Sequence, residues 1–254
     1  MEVNISVWKD QGMSDSEIKK KLVLAKHNLV NSNLSEASIQ GANLSQGNLM
    51  RAIMRKADLT EVDFRGADMM GALFEESNVT GALFTGNHMT QAVLTGTEMD
   101  QVNFIKSDLT HGSLREAVIK GTQFNFAKCV RTDFRETEIE RSDFSQANLS
   151  QADFRVSTIS QTQFNGANLS QSNFTSAELD EINFTDCNLD RVDFTDAEFR
   201  GVIFKGAQLT GANLESIPDL SSDQINLAKI DKHTKLPPHL EVIWEGKKFE
   251  CKLR

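Results

Sequence analysis

Tyrosine is absent from this 254-residue chain, and proline, cysteine and tryptophan are scarce, with three, three and two copies. The three prolines all lie in the C-terminal part of the chain, at Pro218, Pro237 and Pro238. Every residue before them therefore keeps the backbone N–H that a regular hydrogen-bond ladder needs. The cysteines do not have the spacing of a metal site, so we expect reduced structural thiols.

Long apolar runs are also missing, because no stretch approaches the 18 residues that a transmembrane helix needs. The first residues, Met1 to Asn4, contain neither a basic region nor an apolar segment typical of a signal peptide. We therefore expect a cytoplasmic protein with no membrane partner. The five histidines form no metal-ligand pattern, and no phosphate-binding glycine loop is present, so we expect no cofactor and no metal.

The main feature of the sequence is a period of five. Every fifth residue from Leu29 to Leu214 is apolar, which makes 38 consecutive units centred on Leu, Phe, Ile, Met, Val79 or Cys129. The residue two places before each centre is small in 31 units, and His27 and Asn87 are the two polar exceptions. Because five matches neither 3.6 nor 2, this is neither an amphipathic helix nor an isolated strand. A fixed internal period indicates a stack of repeats.

The units follow the pattern Ala-(Asp/Asn)-(Leu/Phe)-X-X, as in Ala147-Asn148-Leu149 and Ala152-Asp153-Phe154. This pattern resembles the pentapeptide-repeat family over residues 25–216. The resemblance implies an all-β fold, a right-handed parallel quadrilateral β-helix with four units per coil and one unit per face, with short helical caps at its ends.

A coil of 20 residues predicts that residues 20 apart stack. One face would then carry eight phenylalanines in register, which we expect to form a core stack that dominates the stability. These residues are Phe64, Phe84, Phe104, Phe124, Phe144, Phe164, Phe184 and Phe204. A second face would carry Phe134, Phe154, Phe174 and Phe194.

The chain divides into an N-terminal segment with a capping helix (1–24), the repeat array (25–216) and a C-terminal cap or tail (217–254). Ser14 and Glu17 have the spacing of a capping box, which predicts a helix over 14–25. A second short helix is predicted to begin near Ser221, with apolar residues that would pack on the last coil: Ile225, Leu227 and Ile230.

Alternation of apolar and polar residues near the C-terminus predicts a hairpin with a turn at 245–247. Its apolar residues Val242, Trp244 and Phe249 would form either a second cap or the surface of a homodimer. We favour the cap.

Sorting the outward residues by face shows that the net charge of −9 is unevenly distributed. The face centred on 39, 59 and so on to 199 has ten acidic and three basic residues, the largest excess of the four faces. Two interpretations follow: mimicry of the DNA backbone, or a solvated face that keeps the rod soluble. The ten residues are Asp58, Glu61, Glu98, Asp100, Glu138, Glu140, Glu178, Asp180, Glu181 and Glu198.

Apolar side chains also gather at outward positions near the N-terminal end, where polar residues are the rule. They are Met50, Ile53, Met70, Leu73 and Val93. Such a patch marks either a protein contact or a surface covered by the N-terminal segment with Val7 and Trp8.

A convex rod offers no cleft for catalysis, so we expect a non-enzymatic rod that binds a protein partner. The negative charge disfavours direct nucleic-acid binding. The resemblance adds a narrower alternative, because some members of the family mimic DNA, bind type II topoisomerases (DNA gyrase or topoisomerase IV), protect them from quinolones or toxins, and form dimers.

Overall fold

A computed structural model describes residues 3–246 and 248–254. The start of the chain at Met1 and Glu2 and one residue of the predicted hairpin turn, Lys247, lie outside the described residues.

The backbone is one continuous stack of 20-residue coils. Parallel bridges join residues 20 apart, from Asn33 with Ile53 to Asp193 with Asn213. Each unit is bonded in both directions: the Leu44 N–H donates to Asp63 O (2.8 Å) and the Asp63 N–H donates to Ala42 O (2.9 Å). This register confirms the right-handed parallel quadrilateral β-helix.

The interior of the coil holds the two apolar positions of every unit. All unit centres are buried except Phe199, which is half-buried, and the small residues two places earlier are buried from Ser32 onward. His27 does not belong to this interior, because it is exposed in the 3₁₀ helix that precedes the first coil.

The predicted phenylalanine stack is present, with ring centroids 4.4–5.7 Å apart from Phe64 to Phe204. The second column runs from Phe134 to Phe194 at 4.7–5.2 Å. Rings of the two columns meet edge to face, as in Phe134 with Phe144 at 5.9 Å. The two columns are therefore one aromatic core rather than two separate stacks.

On one face the coils are extended enough to form a six-stranded parallel sheet in sequential order. The strands are β1 (Glu98–Asp100), β2 (Val118–Lys120), β3 (Glu138–Glu140), β4 (Thr158–Ser160), β5 (Glu178–Asp180) and β6 (Glu198–Arg200). This is the acidic face predicted from the sequence.

The corner of each unit, two residues after the centre, has a left-handed backbone. Glycine occupies several corners, but most carry other residues, including Val156 with φ 60°. A β-branched residue is strained in this conformation.

The N-terminal end is closed by helices α1 (Ile5–Asp10) and α2 (Asp15–Ala25), followed by a 3₁₀ helix, Lys26–Asn28. Ser14 caps α2, and the predicted capping box with Glu17 is present. Ile18 and Leu22 of α2 are buried against the first coil. None of the helices within the described residues is long and apolar enough to cross a membrane.

The C-terminal end is closed by α3 (Ser222–Asn226) and by a hairpin of β7 (Leu240–Glu245) and β8 (Lys248–Leu253). Ile225 is buried and Ile230 packs against the core, but the prediction for Leu227 is wrong, because 57% of this residue is exposed. Its backbone stays on the last coil, where Leu227 O accepts the Gly206 N–H (2.7 Å), and its side chain faces solvent.

Candidate functional site

The candidate site is the acidic sheet, defined as the outer surface of β1–β6. Because side chains alternate along a strand, each central residue points into the core and its two neighbours point to solvent. The first outward column contains Glu98, Glu138, Glu178 and Glu198, and the second contains Asp100, Glu140 and Asp180. Neighbouring rungs of a parallel sheet are about 4.8 Å apart.

Elsewhere in the rod the acidic residue before the centre has a structural role. Its side chain accepts the backbone N–H after the centre, as Asp143 Oδ1 does from Ser145 (2.8 Å) and Asn173 Oδ1 does from Thr175 (2.8 Å). This bond explains the family preference for Asp or Asn at that position. None of the six strands has Asp or Asn there.

The carboxylates of the acidic sheet are therefore mostly unused by the fold. Six of them are exposed and have no hydrogen-bond or ion-pair partner among the described residues: Glu98, Asp100, Glu138, Glu178, Asp180 and Glu198. Glu140 pairs with Arg141 (2.9 Å), and Glu181 accepts from Gln161 (3.1 Å). Asp58 lies before β1 and is bound to Thr60 and Gln40.

The acidic columns are not continuous. Val118 and Thr158 interrupt the first column, and Lys120 and Ser160 interrupt the second. Acidic residues consequently face each other across β1, β3 and β5, every second coil, about 10 Å apart along the axis. Glu61, which lies in the corner column of an earlier coil, is outside this arrangement.

A shallow trough runs between the two columns. Near its C-terminal end it has a volume of about 130 Å³ and is bordered by Glu178, Asp180, Glu198 and Arg200. Among the described residues no group of His, Cys, Asp and Glu could hold a metal ion. The trough is an open surface suited to contact with another macromolecule.

The apolar patch of the sequence lies on a different face. Ile53, Leu73 and Val93 are paired on successive coils, and all five patch residues are half-buried. The N-terminal segment continues this column at its end, where Asn4 pairs with Asn33 and the Ile5 N–H donates to Asn33 O (3.0 Å). Leu73 and Val93 lie two and three coils beyond Asn33.

Two family models match this chain, and together they cover well over half of its residues. The family model for the pentapeptide repeat region matches residues 137–214. The model for pentapeptide repeats (8 copies) matches residues 28–66 and 67–110. The chain belongs to the pentapeptide-repeat family. No curated protein matches it.

Solved structures similar to this pentapeptide-repeat protein include HetL, involved in heterocyst differentiation regulation in the cyanobacterium Nostoc. HetL is 23% identical over 82% of this chain and 99% of its own, with a TM-score of 0.43. A trypsin-treated form of QnrB1, a plasmid-mediated fluoroquinolone resistance protein, is 20% identical over 70% and 92%, with a TM-score of 0.39. A thylakoid-lumen protein of Arabidopsis thaliana is 20% identical over 52% and 73%, with a TM-score of 0.36.

Sequence reasoning missed an ion-pair ladder on the face next to the acidic sheet in this pentapeptide-repeat protein. Arg135 pairs with Asp133 (2.7 Å) and reaches Asp153 (3.7 Å), and Arg155 pairs with Asp153 (2.7 Å). Hydrogen bonding to Asp133 raises the pKa of Arg135. Arginine at the same position of successive coils, 20 residues apart, was the available signal. The acidic residues of that face are partly neutralised, whereas most carboxylates of the acidic sheet have no ion-pair partner among the described residues.

The C-terminal residues proposed as a cap or dimer surface occupy the hairpin. Val242 and Phe249 pack against the core, and the rings of Trp244 and Phe249 are 5.5 Å apart. Asn226 of α3 joins the hairpin through two hydrogen bonds with the backbone of Cys251 (3.0 and 2.8 Å). These contacts join the hairpin to the rest of the chain, and the choice between a cap and a dimer surface stays a prediction.

Proposed function

We propose that this pentapeptide-repeat protein is a non-enzymatic rod that binds a protein partner with a basic surface through the acidic sheet. The observation that carries the proposal is the set of six exposed carboxylates without partners on β1–β6. The fold supplies a rigid support at regular spacing, and the carboxylates supply the charge.

A rigid, extended row of like charges favours a specific contact over general solubility. Complementary charge accelerates association and fixes the register of two surfaces more than it adds raw affinity. Such a contact is screened within about 8 Å at physiological ionic strength, so binding is expected to weaken as salt rises.

Affinity capture from native lysate with two matched variants tests this proposal. The sheet variant combines Glu98→Gln, Glu138→Gln, Glu178→Gln and Asp180→Asn. The control removes the same charge elsewhere, with Asp186→Asn, Glu215→Gln, Glu241→Gln and Glu245→Gln, all exposed. We expect wild type and control to retain the same partner and the sheet variant to lose it. Equal retention by both variants would contradict the proposal.

A narrower candidate is mimicry of DNA, with a type II topoisomerase as the partner. The sheet columns run along the rod as phosphates run along a duplex. However, six free carboxylates over the five intervals between β1 and β6 give about one charge per 4 Å, against about one per 1.7 Å in DNA. The lower density favours a basic protein surface in general.

The narrower candidate has its own assay. Purified protein at micromolar concentration is added to DNA gyrase in a supercoiling reaction, with and without a quinolone. If the candidate is right, charge reversal at Glu138, Glu140, Glu178 and Asp180 abolishes any effect. An inactive wild type would remove this candidate and leave the general proposal to the capture experiment.

The apolar patch of Met50, Ile53, Met70, Leu73 and Val93 is proposed as a second contact surface, for a partner or for a homodimer. Its support is the three stacked apolar residues on successive coils at a position that elsewhere carries polar side chains.

A further inference from the structure

The acidic sheet ends at β6, to which no further strand of the described residues is paired. On the preceding coil the Glu181 N–H donates to Arg200 O (2.8 Å), and Leu179 lies in the ladder between β5 and β6. On β6 the corresponding N–H groups of Gly201 and Phe199 have no acceptor among the described residues. An exposed edge of this kind is a template for pairing with another chain.

The other faces of the last coil are closed differently. The Leu209 N–H donates to Lys229 O (2.7 Å) and the Leu214 N–H donates to Lys235 O (2.9 Å), so the C-terminal segment adds a partial further coil there. On the remaining face, among the described residues, the Gly206 N–H donates to Leu227 O (2.7 Å) and the Phe204 N–H has no acceptor. Within the part of the chain that the structure describes, β6 is therefore the face of the last coil on which both N–H groups lack an acceptor.

Pro218 explains why the ladder of backbone hydrogen bonds between coils stops on this face. The Glu198 N–H donates to Ala177 O (2.9 Å), and the residue 20 later, Pro218, would have to donate to Ala197 O in the same way. Proline has no N–H to donate, and its ring fixes the backbone. The chain turns at 218–219 instead.

The departure of the chain leaves a notch of about 210 Å³ beside β6, lined by Glu198, Phe199, Arg200, Ile217, Pro218 and Asp219. Phe199 is the one unit centre that is not buried. Its ring packs edge to face on Phe194 (5.1 Å), the centre of the preceding unit on the same coil, and among the described residues no further strand pairs with β6 above it.

We propose that the β6 edge binds an extended segment of another protein by parallel strand addition. Continuing the ladder would let the segment accept from Phe199 and Gly201 and donate to the carbonyls of Ala197 and Phe199. The segment would carry a basic residue beside Glu198, an apolar residue over the ring of Phe199 and an acidic residue beside Arg200. Backbone bonds would supply affinity and these three positions specificity.

This edge goes beyond the proposed function, because it uses backbone groups and an apolar ring at the end of the sheet rather than carboxylates on its outer surface. The two surfaces can fail separately. Loss of edge binding would leave the capture experiment on the sheet variant unaffected.

The test uses the full chain, labelled with ¹⁵N, and the peptide acetyl-Gly-Lys-Val-Glu-Gly-amide at millimolar concentration. We expect the amide resonances of Phe199 and Gly201 to shift and their hydrogen exchange to slow at least tenfold at saturation. One control peptide has the order Gly-Val-Lys-Glu-Gly. The other is N-methylated at Lys and Glu, which removes both donors and keeps both charges.

Both control peptides should bind at least threefold more weakly. The reordered peptide loses the cross-strand side-chain pairs, and the N-methylated peptide loses the backbone hydrogen bonds of the ladder. Glu198→Lys should weaken binding of acetyl-Gly-Lys-Val-Glu-Gly-amide by a similar factor. Glu138→Lys, three strands away, should leave binding of this peptide unchanged. The proposal is overturned if the Phe199 and Gly201 amides do not respond, or if the N-methylated peptide binds as well as its parent.

Discussion

Replacement of Phe144 by alanine tests the aromatic core most directly. Phe144 is fully buried and stacks between Phe124 (4.4 Å) and Phe164 (5.0 Å). It also meets Phe134 and Phe154 edge to face, at 5.9 and 6.5 Å. Truncating a buried phenylalanine costs about 3–5 kcal/mol. Because four ring contacts are lost together, we expect a loss at the upper end of that range.

Two controls locate the effect. Phe204, near the C-terminal end, stacks on Phe184 at 5.7 Å and meets Phe194 at 6.3 Å and Phe199 at 5.8 Å. Because it has one ring contact fewer than Phe144 and a stacked ring on one side only, Phe204→Ala should cost less than Phe144→Ala. Asp143→Ala removes the two hydrogen bonds that Asp143 accepts, from the Ser145 N–H and from Asn125 Nδ2. It should lower the free energy of unfolding by about 1 kcal/mol.

Denaturant unfolding followed by circular dichroism measures these losses. Because each coil contacts only its neighbours, a defect in the middle of the stack can also separate unfolding into two steps. Equal losses at Asp143 and Phe144, or a loss below about 2 kcal/mol at Phe144, would refute an inward stack that carries the stability.

Three further changes probe other parts of the molecule. Asn87 is fully buried, and neither polar atom of its side chain has a hydrogen-bond partner among the described residues. Asn87→Ala should therefore raise the free energy of unfolding by about 1–3 kcal/mol. A loss of stability in denaturant melts would refute this. Val156 is 61% exposed in a left-handed corner, so Val156→Asn should stabilise the rod by about 1 kcal/mol. The control is Val130→Asn, which should give no such gain because the backbone at Val130 is not left-handed. Leu73→Glu with Val93→Glu should leave the circular dichroism unchanged and abolish any dimer or partner contact in sedimentation; an unfolded double variant would show that the patch is buried within the chain.

Several features could be predicted from particular residues. The period of five predicted a stack of repeats, and the resemblance to the pentapeptide-repeat family supplied the coil of four units. With that coil, the register and the phenylalanine columns followed from positions such as Phe124 and Phe144. Ser14 with Glu17 defined a helix start, because a capping box is a local hydrogen-bond pattern. The excess of acidic residues on one face followed from the same register.

The tertiary structure decided the features that the five-residue period does not specify, such as the partners of individual side chains. Neighbours 18 to 20 residues away decide whether some carboxylates are free: Gln40 binds Asp58 and Gln161 binds Glu181, whereas no described residue binds Glu138. The contact of Arg135 with Asp153, 18 residues away, and the exposure of Leu227 also depend on packing between coils. The sequence by itself determined a stack of repeats with a fixed set of inward positions, because each five-residue unit buries its apolar face only against its neighbours. Only the tertiary structure located the open edge at β6, since that depends on where the C-terminal chain travels after Pro218.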